Sequence, residues 1–261
     1  MNPARGDGYA LVKWVTSFPG NPERGLPVVR GVGVLSDAGT GEELAVIECA
    51  SITALRTGGA AAVSAQLLAA EGARAVGVIG CGVNGASAAR CLAAAGFDPG
   101  VCADARPAAA RALADELGWR AGSREEAAAQ DVVVTVTPGE RPVISRDEVR
   151  PGQHLAVLGA DAHGKAEVEE AALVRCRLFC DEWAQASAGG ELAHAVAAGA
   201  VERADVTQIG DVLTGAAPGR LSPEDITLFD STGLAIQDLA LAATVYESWR
   251  EGRIEAPSAP L

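Results

Sequence analysis

From residue 75 to residue 230 the chain alternates short apolar runs with helical stretches, and this alternation constrains the fold more than any other feature. The runs are 75–79, 101–103, 131–135, 154–158, 178–181 and 226–230, with helical patterns at 83–95 and 107–117 between the first of them. Runs this short and this uniformly apolar suit strands buried on both faces. Parallel strands need crossover helices to join them, so the pattern predicts an α/β fold, a doubly wound parallel sheet covered on both sides.

The flanking regions read differently. Residues 10–17, 28–36 and 44–49 are β-rich and separated by Gly, Pro and Asn clusters, which predicts an antiparallel meander. Helical spacing follows over 53–70, and a long amphipathic helix is expected over 233–250 before a Pro-rich tail at 255–261.

One turn inside the alternating region carries chemistry. Gly80-Cys81-Gly82-Val83-Asn84-Gly85 follows an apolar strand directly and opens an Ala-rich helix. A GxGxxG in that setting is the Rossmann-type dinucleotide fingerprint. Gly80 permits the tight turn, Gly82 lets backbone approach a pyrophosphate, and Gly85 lets helix and strand pack closely. The helix start presents free N–H groups to the anion. The next strand ends in Asp104, 24 positions after Gly80, where a carboxylate would bond the adenosine ribose hydroxyls and favour NAD. Arg106 offers a partner for a 2′-phosphate, so NADP stays open as the alternative cofactor.

Charge bounds the partners. The chain has 261 residues with 21 Lys and Arg against 34 Asp and Glu, a net charge of −13. Such a surface argues against nucleic-acid and membrane roles. No apolar run reaches the roughly 18 residues that span a bilayer, and the start lacks the order of a signal peptide, so a cytoplasmic protein is expected. The six cysteines show no metal-ligand spacing and are expected as reduced core thiols, with no metal site. Asp181-Glu182 and the acids at 167–170 read as solvated runs, His163 as a loop residue, and His154 and His194 carry no signal.

Three side chains stand out against their surroundings. Lys13 lies in the otherwise apolar Val12-Lys13-Trp14-Val15, which predicts a partnered lysine. Arg56 opens an Ala-rich helix holding no other charge, which implies a buried anion nearby. Asp161 follows a strand at the carboxyl edge of the sheet, where ligands collect, and the residues alone leave open whether it is an acid/base or a turn cap.

Several longer stretches resemble the ornithine cyclodeaminase/μ-crystallin family in content and order. They are Lys13 in its strand, Pro19-Gly20-Asn21-Pro22, Leu55-Arg56-Thr57-Gly58, Gly159-Ala160-Asp161-Ala162-His163-Gly164-Lys165, and the segment from Ile226 through Asp230-Ser231-Thr232-Gly233 to Asp238. Lys13-Trp14 and the Gly80 loop look most like the archaeal alanine dehydrogenase branch. The resemblance implies a homodimer of two-domain chains: an NAD(P)-binding Rossmann domain at 61–233, and a smaller α+β substrate and dimerisation domain from 1–60 and 234–261. It implies that Lys13 and Arg56 hold a substrate carboxylate and that Asp161 is the acid/base at the substrate amine. Thr57 and the glycine loop would line the pyrophosphate, with Thr137, Pro138, Ser231 and Gly233 on the nicotinamide side.

Members of that family carry a further segment ahead of the Lys13 strand, including another carboxylate-binding arginine. The expectation is therefore a shortened member, or a start assigned late, with the cofactor half unaffected. Three functions follow from the resemblance: an NAD(P)-dependent amino-acid dehydrogenase or ketimine reductase, a redox-neutral ornithine or lysine cyclodeaminase that releases ammonia, and a non-catalytic binder of NAD(P)H and a small ligand.

Overall fold

The computed structural model describes residues 2–6, 8–18, 20–138, 141–160, 162 and 164–257. The chain divides into two units, one of Met1–Arg56 with Leu234–Leu261 and one of Thr57–Gly233.

The first unit is built on a four-stranded antiparallel sheet in the order β1 (Asn2–Gly6), β2 (Tyr9–Ser17), β3 (Val29–Asp37), β4 (Glu43–Glu48). The meander β2–β4 follows the sequence pattern. β1 does not, because Asn2-Pro3-Ala4-Arg5-Gly6 has no apolar alternation; it pairs antiparallel with β2, Asn2 with Lys13 and Gly6 with Tyr9. Leu11 and Leu35 point to the inner face and pack with Leu239 and Ala242 of the C-terminal helix. The opposite face leaves Val12, Trp14, Val32 and Val46 exposed.

Helix α1 (Cys49–Leu68) starts four residues ahead of the expected 53. The reason is local: the Glu48 carboxylate accepts the N–H groups of Ala50 and Ser51 at 2.6 and 2.9 Å, satisfying first-turn donors that would otherwise have no partner.

The second unit continues with β5 (Val76–Ile79), α2 (Val83–Ala94), β6 (Gly100–Ala103), α3 (Pro107–Leu117), β7 (Arg120–Ala121), α4 (Arg124–Ala128), β8 (Val132–Thr135), β9 (His154–Val157), α5 (Glu170–Leu173), β10 (Arg177–Cys180), α6 (Trp183–Gly189), α7 (Ala193–Ala197), β11 (Val206–Gln208), α8 (Ile209–Leu213) and β12 (Thr227–Asp230). The C-terminal helix of the first unit is α9 (Ala235–Arg250). All eight strands are parallel, in the order β11-β10-β12-β9-β8-β5-β6-β7. The chain winds outward from β5 to β6 and β7, then returns to lay β8 and β9 on the other side. The strand order therefore reverses between β5 and β8, the place where doubly wound sheets open a crevice at their carboxyl edge.

The apolar runs have their predicted consequence. Every residue of β5, β6, β8, β9 and β12 is buried. Successive residues enter opposite cores: Leu155 and Val157 join one, Ala156 and Leu158 the other. Only the outermost strands β7 and β11, of two and three residues, are too short to have shown a pattern. Cys49, Cys81, Cys102 and Cys180 are buried and all six thiols are free. Among the described residues no helix is long and apolar enough to cross a membrane.

Candidate functional site

At the end of β5 the three glycines of the turn each answer a different demand. Gly80 has φ +100°, and a Cβ there would lie 2.4 Å from the Val136 carbonyl oxygen in the loop after β8. A Cβ on Gly85 would lie 1.8 Å from the Gly80 carbonyl oxygen, so helix α2 can sit on the strand only with glycine there. Gly82 differs: among the described residues nothing lies within 4 Å of where its Cβ would be. It also begins α2 without a side-chain cap, so protein contacts do not account for its identity. Open space beside an uncapped helix start, with backbone N–H groups facing it, is a cradle for a phosphate.

Asp104 braces this turn. Its carboxylate accepts the Cys81 N–H at 2.7 Å and the Arg106 N–H at 2.8 Å, while the Arg106 guanidinium lies outward at 3.3 Å. Val83 is exposed and Asn84 half-buried at the lip of the turn, and Pro138 is exposed beside Thr137. Thr57 is buried on α1, whose next residue, Gly58, meets Ser87 of α2 so closely that a Cβ would fall 2.6 Å from Ser87 backbone.

Further along the same sheet edge, buried carboxylates organise the loops. Glu167 is fully buried and accepts four hydrogen bonds from Thr135, Thr137 and Gly159. Burial pushes its carboxyl up, and those donors pull it back. Glu191 accepts the N–H groups of Glu167 and Val168; burial pushes it up to about 7. Asp230 accepts the Leu192 N–H with one oxygen, has no partner for the other among the described residues, and is raised well above the usual range, chiefly by burial. Asp181 accepts the Gly233 N–H at 2.6 Å and the Thr232 hydroxyl at 2.8 Å, with Ser231 at 3.5 Å.

These positions correct the sequence reading. Glu167 and Asp181 are not solvated acids; they are the buried members of runs whose other residues, such as Glu169 and Glu170, are exposed. His154 also has a place: it is fully buried between Ser64 and Thr227 at 3.1 and 3.0 Å, and burial pushes it down to about 3. A neutral, enclosed imidazole pins β9 and does not serve as an acid/base.

In the first unit, Lys13 is 8% exposed and donates to Asp238 Oδ1 at 2.8 Å and Thr53 Oγ1 at 2.7 Å. Arg56 brings Nε to 3.7 Å from the same Asp238 oxygen, and that Nε is buried without a hydrogen-bond partner among the described residues. Two cations thus share one carboxylate, leaving one positive charge in excess. An ammonium has three donors and a guanidinium five, so the pair keeps donors to spare. A bidentate fork beside a point charge suits a further carboxylate. Asp238 escaped the sequence reading, although an acid on the apolar stripe of α9, next to buried Leu239, was a visible signal.

The structure therefore brings Lys13 and Arg56 together on Asp238. It gathers Gly80, Gly82, Gly85, Asp104, Arg106 and Thr137 about the glycine turn, and Ser231 and Gly233 about Asp181. Asp161 and His163 lie outside the described residues. Among the described residues no group of three or more His, Cys, Asp or Glu is placed to hold a metal.

Comparison with known proteins bears on these features. The model of the Ornithine cyclodeaminase/mu-crystallin family matches residues 1–253. Alanine dehydrogenase of Archaeoglobus fulgidus is 41% identical over 254 residues, which cover 94% of this chain and 79% of that protein. Of solved structures, an archaeal alanine dehydrogenase dimer with bound NAD superposes with a TM-score of 0.92 at 38% identity, covering 99% of this chain and 83% of that one. The iminosuccinate reductase of Paracoccus denitrificans in complex with NAD+ gives 0.86 at 34% identity, covering 94% and 78%.

Proposed function

The chain belongs to the ornithine cyclodeaminase/mu-crystallin family, and from that premise we propose that it is an NAD(P)-dependent oxidoreductase acting at the Cα–N bond of a small α-amino or α-imino acid, with NAD the favoured cofactor. The observation that carries this reading is the unbalanced pair of Lys13 and Arg56 on Asp238: a buried cation, a half-buried one and a single carboxylate make a site one negative charge short. The α-carboxylate common to all amino acids supplies that charge.

The cofactor fits the second unit. The open side of Gly82 and the uncapped start of α2 would hold the pyrophosphate, with Val83, Asn84 and Thr57 alongside. Asp104, fixed against the turn, would accept the ribose hydroxyls, with Arg106 outside it. Thr137, Pro138, Ser231 and Gly233 would border the nicotinamide. When bound, NAD supplies the hydride acceptor.

The protein's own residues supply position and proton transfer. Lys13 and Arg56 would fix the substrate carboxylate, and so limit where Cα can stand. The substrate ammonium must lose a proton before Cα can release hydride, and Asp161 is the base we assign to that proton. The reverse reaction returns it to the amine nitrogen after hydride has reached Cα.

The outer face of the antiparallel sheet supports a homodimer. Trp14 is 70% exposed and Val46 63%, with Val12 and Val32 beside them, an apolar surface of the kind that marks protein contacts. Trp14→Glu is expected to convert a dimer to a monomer in sedimentation; a dimer that survives would move the interface elsewhere.

Purified protein mixed with NAD and a panel of amino acids should accumulate NADH. Proline or pipecolate formed from ornithine or lysine without net NADH would place the chain in the redox-neutral branch instead. Cofactor binding without either product would leave a non-catalytic binder. Asp161→Asn should abolish turnover while leaving NAD affinity within about tenfold; equal loss of both would remove Asp161 from the chemistry.

A further inference from the structure

Glu167 stands six residues after Asp161 in the sequence, in a place where a charge is costly. Its side chain is wholly enclosed, and no lysine or arginine among the described residues pairs with it. Each oxygen instead takes one N–H and one O–H. Oε1 accepts the Thr137 N–H at 2.6 Å and the Thr137 hydroxyl at 2.7 Å. Oε2 accepts the Gly159 N–H at 2.7 Å and the Thr135 hydroxyl at 2.9 Å. The two N–H donors are backbone and cannot turn away, so a group that donates would face a donor here.

The surroundings are shaped to admit this carboxylate. A Cβ on Gly159 would lie 2.6 Å from Glu167 Cδ and 2.4 Å from the Thr137 carbonyl oxygen, so any larger residue would collide. From behind, Glu191 takes the N–H groups of Glu167 and Val168 at 2.8 and 2.7 Å, which fixes the backbone that carries the side chain. Gly159 and Glu167 thus meet at one carboxylate, and the same carboxylate holds the exit of β8.

We propose that Glu167 is a positioning residue of the reaction: by holding Gly159 and the exit of β8 on one carboxylate, it fixes described backbone on both sides of Asp161 in the sequence, the residue proposed as acid/base. The inference rests on the role proposed for Asp161. It gives the four-bond carboxylate a purpose that packing does not, because an apolar side chain would fill the same space without desolvating a charge.

Glu167→Gln and Thr135→Val, beside the wild type, test it with NAD and the amino acid of the panel that the wild type oxidises. Gln sets an amide N–H₂ against fixed donors and should lower kcat about 100-fold, the scale of an ångström-sized misplacement, while KM changes less than about threefold. The primary isotope effect on kcat with Cα-deuterated substrate should rise as hydride transfer becomes limiting. Amide exchange over residues 159–167 should quicken while β8 and β9 keep their protection. Thr135→Val removes one of four donors and should move the same readouts in the same direction, with kcat down about fivefold.

A purely structural carboxylate would lower the melting temperature and leave kcat and the isotope effect as in the wild type. That result in folded Glu167→Gln overturns the proposal, and if that variant does not fold, the same result in Thr135→Val overturns it. A wild type that binds NAD and oxidises no amino acid overturns the dehydrogenase reading instead; loop exchange then decides alone, and unchanged exchange in both variants overturns the role of Glu167.

Discussion

The two units bury carboxylates by opposite means. In the first, Asp238 is compensated by charge: Lys13 and Arg56 both lean on one of its oxygens, and the sum remains positive. In the second, Glu167, Glu191, Asp181 and Asp230 have no cationic partner among the described residues and are compensated by dipoles, the N–H groups and hydroxyls of strand ends and loops. Compensation by charge leaves an appetite for another ion. Compensation by dipoles leaves none, and instead fixes the backbone that bears the donors. The first arrangement suits a place where a charged molecule comes and goes, the second a frame that must not move.

The largest test of the contrast is Asp238→Asn. It leaves buried Lys13 and half-buried Arg56 without their counterion and should destabilise the fold by about 2–4 kcal/mol in denaturant titration, with millimolar sulfate restoring part of the loss. Loss without anion rescue would mean that the pair is enclosed by structure and not open to a ligand.

Arg56→Met should lower kcat/KM for the amino acid about 100-fold, by removing a charged fork from the substrate carboxylate, with the NAD dissociation constant nearly unchanged. Parallel loss of NAD binding would show that the two compensations are not separate.

The dipole-compensated cluster should respond to pH. Burial holds Glu191 at about 7 in the fold, above its usual 4.5. The folded state therefore keeps a proton that the unfolded state releases. The associated stability is fully present below about pH 4.5 and is lost as pH rises through about 7, a change on the order of 2–3 kcal/mol. Glu191→Gln, shaped like the neutral acid, should flatten that slope in melts between pH 5 and pH 8, a range set by the same linkage. A slope that survives unchanged would assign it to another group.

Smallest is Asp104→Ser, expected to shift the NAD to NADP preference about tenfold toward NADP. Unchanged preference would mean that Asp104 serves only to brace the Cys81 N–H.

The sheet was legible because burial on both faces forces strands such as Val132–Thr135 to be apolar throughout, and the glycine turn because Gly80 and Gly85 have no steric substitutes. The edge strands β7 and β11 were not, being two and three residues whose pairing comes from a neighbour and not from their own composition. The buried acids were hidden for a different reason. Glu167 sits in a run with Glu169 and Glu170, and Asp181 precedes Glu182, so composition alone cannot tell which carboxylate meets converging donors. Those donors are backbone groups of Thr137, Gly159 and Gly233, and backbone leaves no letter in a sequence. Lys13 and Arg56 were legible as charges out of place, while their shared counterion, 225 positions from Lys13, was not connected to them.

The meeting of Gly159 with the Glu167 carboxylate has a consequence for descent. Alanine at 159 would strike the carboxylate, and loss of the carboxylate would take the acceptor from the buried Gly159 N–H and the half-buried Thr137 N–H. Because a Cβ at 159 would also lie 2.4 Å from the Thr137 carbonyl oxygen, a change at 167 does not release Gly159, and a lineage that keeps this strand-end geometry keeps the glycine whatever becomes of the carboxylate.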